Sequence, residues 1–263
     1  MEGRYLYAIV ESERPLSPGI SGLGARPVYL IPCRGLAAVV SDCPLRPYPA
    51  DAANAARHGA VVEEAMQAGP VLPVRFGTLL GGRERVVAML EEHYEAFAED
   101  LGRLRGKVEM GLKVLWDVER VREEVRAGGV GLSAAPASAV AAGRSAQGSG
   151  SGGAPANPER ALGRSYLLQK LQEHRMDEAV RERGAPLIAR IEADLRPLAA
   201  DSRVRRFPTA RLLLDGTYLV AAEASEALCR AVERLEGRMA DLRFLLSGPW
   251  PPYSFVRFPR KGG

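Results

Sequence analysis

The chain has 263 residues, of which 46% are hydrophobic and 26% charged, and its formal net charge is +4. This is the composition of a globular protein that can bury a core. No stretch approaches the roughly 18 consecutive apolar residues of a membrane span, and the first residues lack the pattern of a signal peptide. We therefore expect a cytoplasmic protein that does not enter a membrane.

A low-complexity segment divides the chain. Between residues 128 and 158, 25 of 31 residues are Ala, Gly, Ser or Pro, and the segment has one charged side chain, Arg144. Such a segment cannot bury enough apolar surface to offset the entropy of ordering it. The sequence thus predicts an N-terminal domain at 1–127, a flexible linker or loop at 128–158, and a C-terminal domain at 159–263.

The N-terminal domain is predicted to be a ferredoxin-like α+β sandwich with the order β-ββ-α-β-α-β. Its first and third strands are apolar on both alternating faces, so neither face of the sheet should meet water, and one face should need a cover beyond its own helices. Asp51 and Gly69 should cap the first helix. The predicted strands are 5–10, 28–33, 36–41, 71–78 and 109–117, and the predicted helices follow Asp51 and Gly82, the second with an apolar stripe from Val86 to Leu104.

The C-terminal domain is predicted to be a second α+β unit. Two helices, at about 159–183 and 186–198, should be separated at Pro186. A hairpin should follow, with its turn at Asp215-Gly216. A helix at about 225–239 and a strand at 242–248 complete the unit.

Catalytic chemistry is not indicated by the sequence. The histidines His58, His93 and His174 are far apart, without metal-ligand spacing, and no phosphate-binding loop or nucleophile elbow is present. Three cysteines cannot form a disulfide framework. We expect no enzyme activity, metal or cofactor, although a haem-binding protein with one of these histidines as axial ligand is a competing hypothesis.

Two short segments are candidates for contacting a partner. In the first, Arg75 and Phe76 follow an apolar strand, and Arg75 could either reach a partner or pair with a neighbouring carboxylate. The second is the proline-flanked aromatic segment near residue 250, which could pack into the protein's own core or form a docking surface. The candidate partner-binding residues are Arg75, Phe76, Trp250, Pro251, Pro252 and Tyr253.

Two features leave a nucleic-acid-binding module open as an alternative. Tyr5 and Tyr7 on the sheet could stack bases, as in RNA-binding ferredoxin-like modules. The basic run at Arg203, Arg205 and Arg206 could contact phosphates, but such a run also protects an exposed edge strand from aggregation. The second aromatic strand of an RNA-binding module is missing, so we expect no nucleic-acid partner.

Several motifs in chain order closely resemble the gas vesicle protein F/L family. They are LYAIV, LAAVVS, the HGAVVE of residues 58–63, VLPVRFGT, EMGLKVLW, the GRSYLLQK of residues 163–170, and SGPWPPYSFV. The resemblance covers nearly the whole chain except 128–158. It implies a two-domain α+β protein that is a minor component of gas vesicles, or acts in their assembly, and that binds the hydrophobic shell protein GvpA and limits its aggregation. No catalysis is implied.

Overall fold

The computed structural model describes residues 2–12, 16–17, 19–128 and 158–257, with the backbone alone for residue 2 and for 158–165. The linker predicted at 128–158 lies, apart from its two end residues, outside the described residues. Two antiparallel sheets with packed helices make up the fold, so the predicted α+β class is confirmed.

The first sheet has five strands in the order β2-β3-β1-β4, with β5 also pairing β1. Strands β2 and β3 form a hairpin around Arg34-Gly35. As predicted, helix α1 is capped by Asp51, whose side chain accepts a hydrogen bond from the Asn54 N–H at 2.8 Å. The elements of this unit are β1 (Glu2–Glu11), β2 (Val28–Cys33), β3 (Leu36–Pro44), α1 (Ala52–Ala68), β4 (Val71–Pro73), β5 (Leu79–Leu80), α2 (Arg83–Glu92) and α3 (Tyr94–Leu104).

Both faces of this sheet are buried, as the apolar strands predict. On one face, Tyr5, Tyr7 and Val39 pack against α1. On the other, Leu6 and Ile9 pack against α2 and α3. Helices of this unit lie on both sides of the sheet, and the core on the α2 and α3 side also includes Leu219 and Phe255 from later in the chain. The expectation that one face needs a cover beyond its own helices therefore agrees with this packing.

Two elements of the first unit differ from prediction. The strand predicted at 71–78 ends at Pro73, and residues 74–78 form a turn before β5. The apolar stripe from Val86 to Leu104 belongs to two helices, which meet at His93. Both helices still pack on the same core, so the apolar periodicity is preserved across the break.

The second sheet has four strands in the order β7-β8-β6-β9. Its central strand β6 was expected to close the first sheet, and that expectation is wrong. Chain proximity favoured the first sheet, but β6 pairs along both edges with β8 and β9, and its apolar face packs on α5 and α6. The elements are β6 (Lys107–Trp116), α4 (Val118–Ala127), α5 (Pro158–Leu195), β7 (Asp201–Thr209), β8 (Leu212–Ala221), α6 (Ser225–Arg238) and β9 (Leu242–Trp250).

With β6 included, the second unit has the β-α-β-β-α-β succession of ferredoxin-like units, except that two helices, α4 and α5, stand in the first helical position. The two helices predicted around Pro186 are one helix, α5, which continues through the proline. A proline inside a helix removes one backbone hydrogen bond. Buried side chains on both sides of it, Val180 and Ile188, pack on the same core and keep the helix continuous.

The turn predicted at Asp215-Gly216 is also wrong, because both residues lie inside β8. Gly216 pairs with Leu112 on one side and with Val204 on the other. The chain turns instead between β7 and β8. Strand pairing on both edges thus overrides a dipeptide that by itself favours a turn.

Candidate functional site

A groove of about 1500 Å³ lies where the two units meet. One wall is the exposed side of α1 together with the turn at residues 74–78. The opposite wall comes from β7, β8 and the residues after β9. We call this space the junction groove, and residues 251–257 the tail.

Five of the six candidate partner-binding residues line the junction groove. The exposed Arg75 and the half-buried Phe76 come from the turn, while Trp250, Pro251 and Tyr253 come from the end of β9 and the tail. These two segments are about 175 residues apart in the sequence. The sixth candidate, Pro252, is buried and lines a separate cavity of about 400 Å³.

The aromatic residues at and after the end of β9 are partly core and partly surface. The core hypothesis is correct for one of them, and the docking role of the exposed ones stays a prediction. Phe255 is 1% exposed and packs into the core of the first unit. Trp250 is 46% exposed and Tyr253 is 39% exposed, and both face the groove. Partial burial and the nearby Glu63 carboxylate raise the pKa of Tyr253 above its usual value.

Two buried carboxylates hold the tail in place. Glu109 on β6 accepts hydrogen bonds from the Ser254 N–H and hydroxyl, both at 2.7 Å. Asp100 on α3 accepts from the Arg257 N–H at 2.6 Å and forms an ion pair with Arg103 at 2.8 Å. The tail of the second unit is therefore attached to both units through fully engaged carboxylates.

Close backbone packing also fixes where the tail begins. Gly248 has a φ of +112°, and a Cβ atom there would lie 2.8 Å from the carbonyl oxygen of Glu109. Only glycine combines this backbone conformation with such a close approach. Trp250, the last residue of β9, is consequently held at a defined position beside the groove.

A buried histidine positions the turn that carries Arg75 and Phe76. His58 on α1 is 3% exposed, and its Nε2 lies 3.0 Å from the carbonyl oxygen of Val74. A carbonyl oxygen can only accept, so Nε2 donates and Nδ1 accepts from the Tyr5 hydroxyl at 3.0 Å. The same hydroxyl accepts from the Gly77 N–H at 2.9 Å. Both ends of the turn are thereby tied to the first sheet and α1.

The burial of Tyr5 and His58 sets which of their atoms carry protons. Burial raises the pKa of Tyr5 to about 12, so its hydroxyl keeps the proton that it donates to His58. Burial also lowers the pKa of His58 below its ordinary value of 6.5. His58 is therefore neutral at neutral pH, and both ring nitrogens are engaged, which argues against the competing role as a haem ligand.

We expect the neutral His58 to make stability depend on pH. In the unfolded chain the His58 side chain takes up a proton at about pH 6.5, whereas in the folded chain it does so only at lower pH. The stabilisation from neutral His58 is therefore fully present above pH 6.5 and is lost as the pH falls through the lower, folded-state pKa. The slope has an upper limit of about 1.4 kcal/mol per pH unit, the value for one proton. Urea unfolding between pH 7.5 and 5.5 measures it. His58→Gln should flatten this slope, and the exposed His174→Gln should not; an unchanged slope in His58→Gln would contradict the assignment.

The features that suggested nucleic-acid binding have other roles in the structure. Tyr5 and Tyr7 are 0% exposed beneath α1 and cannot stack on bases. The basic run lies on β7, an edge strand of the second sheet, as its alternative interpretation predicted. Arg205 pairs with Asp215, and Arg206 with Glu192.

The described residues contain no cluster of three or more His, Cys, Asp or Glu side chains that could hold a metal ion. The three cysteines are free thiols. Within the same part of the chain, no helix is both long and apolar enough to cross a bilayer.

Sequence reasoning missed the residues that hold the site together. Neither Glu109 nor Asp100 was among the candidate residues. In the sequence, Asp100 interrupts the apolar stripe of α3 between Phe97 and Leu101, and Glu109 directly precedes the apolar residues of β6. Which N–H group each one accepts from depends on the position of the tail, and that position is a tertiary feature.

The fold defines a class of protein that is known from crystal structures. Gas vesicle protein GvpF from an Anabaena species matches with a TM-score of 0.75 and 22% identity, covering 100% of this chain and 99% of that one. GvpF from Microcystis aeruginosa matches with a TM-score of 0.74 and 20% identity, covering 97% and 99%. At these identities the likeness establishes the fold.

The sequence comparisons identify the family. The family model described as gas vesicle synthesis protein GvpL/GvpF matches residues 3–257, so the chain belongs to the GvpL/GvpF family of gas vesicle proteins. Gas vesicle protein F of a Streptomyces species is 32% identical over 96% of this chain and 98% of its own length. Gas vesicle protein L1 of Halobacterium salinarum is 28% identical, covering 97% and 90%. The resemblance seen in the motifs is confirmed.

Proposed function

We propose that this chain is a non-catalytic assembly factor that binds the hydrophobic shell protein GvpA in the junction groove and limits its aggregation while the gas vesicle forms. The family is one of gas vesicle synthesis, which supports a partner among the gas vesicle proteins. The observation that carries the proposal is the pair of exposed aromatic side chains, Trp250 and Tyr253, fixed beside Phe76 in a large groove.

The groove is better suited to an apolar partner than the sheet is. Both faces of the first sheet are already buried within this chain, by helices of the same unit and, on the α2 and α3 side, also by Leu219 and Phe255. The exposed aromatic side chains lie instead on backbone that is held by prolines and by the carboxylates of Glu109 and Asp100. Aromatic side chains on a rigid backbone lose little entropy when a partner covers them, so they supply binding energy at low cost.

The α1 wall supports the same assignment. Four of its six groove-lining residues are small, Ala55, Ala56, Gly59 and Ala60, and the other two are His58 and Glu63. A Cβ atom added at Gly59 would meet no heavy atom within 4 Å. A partner segment can therefore approach the helix backbone closely while its apolar side chains contact the aromatic wall.

Co-expression with the cognate GvpA tests the proposal. Wild-type chain should keep GvpA soluble and co-purify with it. Trp250→Ala should reduce the retained GvpA by about tenfold or more, the effect of truncating an interface aromatic residue worth about 2 kcal/mol. Leu245→Ala is the matched control, since Leu245 is also exposed but lies outside the groove.

Two outcomes would count against the proposal. If wild-type chain retains no GvpA and GvpA precipitates, direct shell-protein binding is wrong. If Trp250→Ala keeps full binding but lowers the melting temperature by several degrees, Trp250 is a packing residue and not a partner contact.

A further inference from the structure

We propose that the segment bound in the junction groove carries one or more carboxylates beside its apolar side chains, and that Arg75 and Arg203 recognise them. This inference rests on the proposed function, since it specifies the chemistry of the partner segment at the same site. The observation behind it is that some charged side chains lining the groove form ion pairs or hydrogen bonds, whereas two arginines have no carboxylate partner among the described residues.

Arg75 and Arg203 face the groove from opposite units. Arg75 lies in the turn of the first unit, and Arg203 lies on the edge strand β7 of the second. Both are exposed. Among the described residues, neither guanidinium has a carboxylate within 4.0 Å. The sequence hypothesis that Arg75 pairs with a neighbouring carboxylate is therefore not realised within this part of the chain.

The other charges of the groove are mostly engaged. Arg205 forms an ion pair with Asp215, and the Glu109 carboxylate accepts two hydrogen bonds from Ser254. Glu63 on α1 is the remaining carboxylate, and its negative charge contributes to the raised pKa of the Tyr253 hydroxyl. The formal charges of the lining cancel, with three arginines against the carboxylates of Glu63, Glu109 and Asp215. Arg75 and Arg203 are nevertheless the two groove arginines that lack a carboxylate partner among the described residues.

The two arginines flank the aromatic surface. The Arg203 guanidinium lies 5.5 Å from the centre of the buried Phe255 ring, so the tail holds it beside the groove. Arg75 directly precedes Phe76 in a turn whose ends are tied to His58 and Tyr5. A purely apolar segment that covered these positions would remove water from both guanidinium groups without supplying a carboxylate in its place. Burying an unpaired charge in this way is unfavourable. An apolar segment with an acidic side chain on each border satisfies them.

The test is double charge reversal in the co-expression assay. Arg75→Glu combined with Arg203→Glu should reduce the retained GvpA by at least tenfold. The matched control is Arg85→Glu combined with Arg181→Glu: both are exposed and lie outside the groove, and either double variant shifts the formal net charge from +4 to 0. The control should retain GvpA at the wild-type level. Melting temperatures of both variants show whether folding is preserved.

A second arm places the complementary charge on the partner. Among GvpA variants that each replace one acidic residue by Lys, at least one should bind wild-type chain weakly and recover binding to the double-reversed groove. Wild-type binding should also weaken between 50 and 500 mM salt, and the Arg75→Gln, Arg203→Gln variant should bind weakly and lose most of this dependence.

The outcomes separate the inference from the proposed function. If wild type and the reversed groove both retain GvpA, the inference is wrong and the proposed function stands. If wild type retains none, both fall. If wild type binds a short single-stranded RNA with the expected salt dependence and Arg75→Glu, Arg203→Glu abolishes it, the arginines serve nucleic acid and the inference is wrong.

Discussion

Replacing Gly59 by Leu is expected to abolish GvpA binding and at the same time to stabilise the chain. Gly59 lies inside α1 and faces the junction groove, with open space where its side chain would be. Leucine has a higher helix propensity than glycine, which should raise the free energy of unfolding by about 0.5–1 kcal/mol. The same side chain would occupy volume that the partner needs, and overpacking of about 1–3 kcal/mol predicts a loss of binding of about fivefold to 150-fold.

Gly102→Leu is the matched control for this prediction. Gly102 is also a helical glycine with open space around it, but it lies on α3, outside the groove. Urea unfolding and co-purification should show that both variants are at least as stable as wild type and that only Gly59→Leu loses GvpA. Full GvpA retention by Gly59→Leu would mean that the partner does not bind against α1.

Phe255→Ala is expected to have the largest effect on stability. The ring is buried in the core of the first unit, although it follows the last strand of the second. Removing it should cost about 3–5 kcal/mol of unfolding free energy. It should also release the tail, so that the Ser254 and Arg257 amides lose the hydrogen bonds to Glu109 and Asp100.

Hydrogen exchange separates this effect from general destabilisation. Phe97→Ala removes a ring that is buried in the same core but lies outside the tail. It should destabilise the chain comparably while the Ser254 and Arg257 amides exchange only through global unfolding. In Phe255→Ala these two amides should exchange faster than the rest of the core, and GvpA binding should fall as Trp250 and Tyr253 lose their fixed positions. A loss below about 1 kcal/mol with both amides still protected would contradict the role of Phe255.

Much of the local structure could be predicted from the sequence because it depends on nearby residues. The Asp51 cap of α1, the hairpin at Arg34-Gly35 and the apolar strands of the first sheet follow from short-range patterns, and all are present. The six candidate partner-binding residues were also chosen from local composition. Their partner role stays a prediction, but five of the six line one groove.

The errors occurred where long-range pairing competes with local preference. Chain proximity placed β6 in the first sheet, and a dipeptide preference placed a turn at Asp215-Gly216, whereas pairing along both strand edges decides each case. Pro186 was expected to begin a second helix, but buried side chains on both sides of it keep α5 continuous.

What the sequence by itself determined is the α+β class, most of the elements, and membership of the GvpL/GvpF family, because apolar periodicity, caps and motifs are local. Only the tertiary structure decided that the turn bearing Arg75 and the tail bearing Trp250 face one groove, and that Phe255 is core while Tyr253 is surface. The reason is physical: these distinctions depend on which buried group, such as His58, Glu109 or Asp100, satisfies a distant backbone N–H or carbonyl, and no local pattern encodes that pairing.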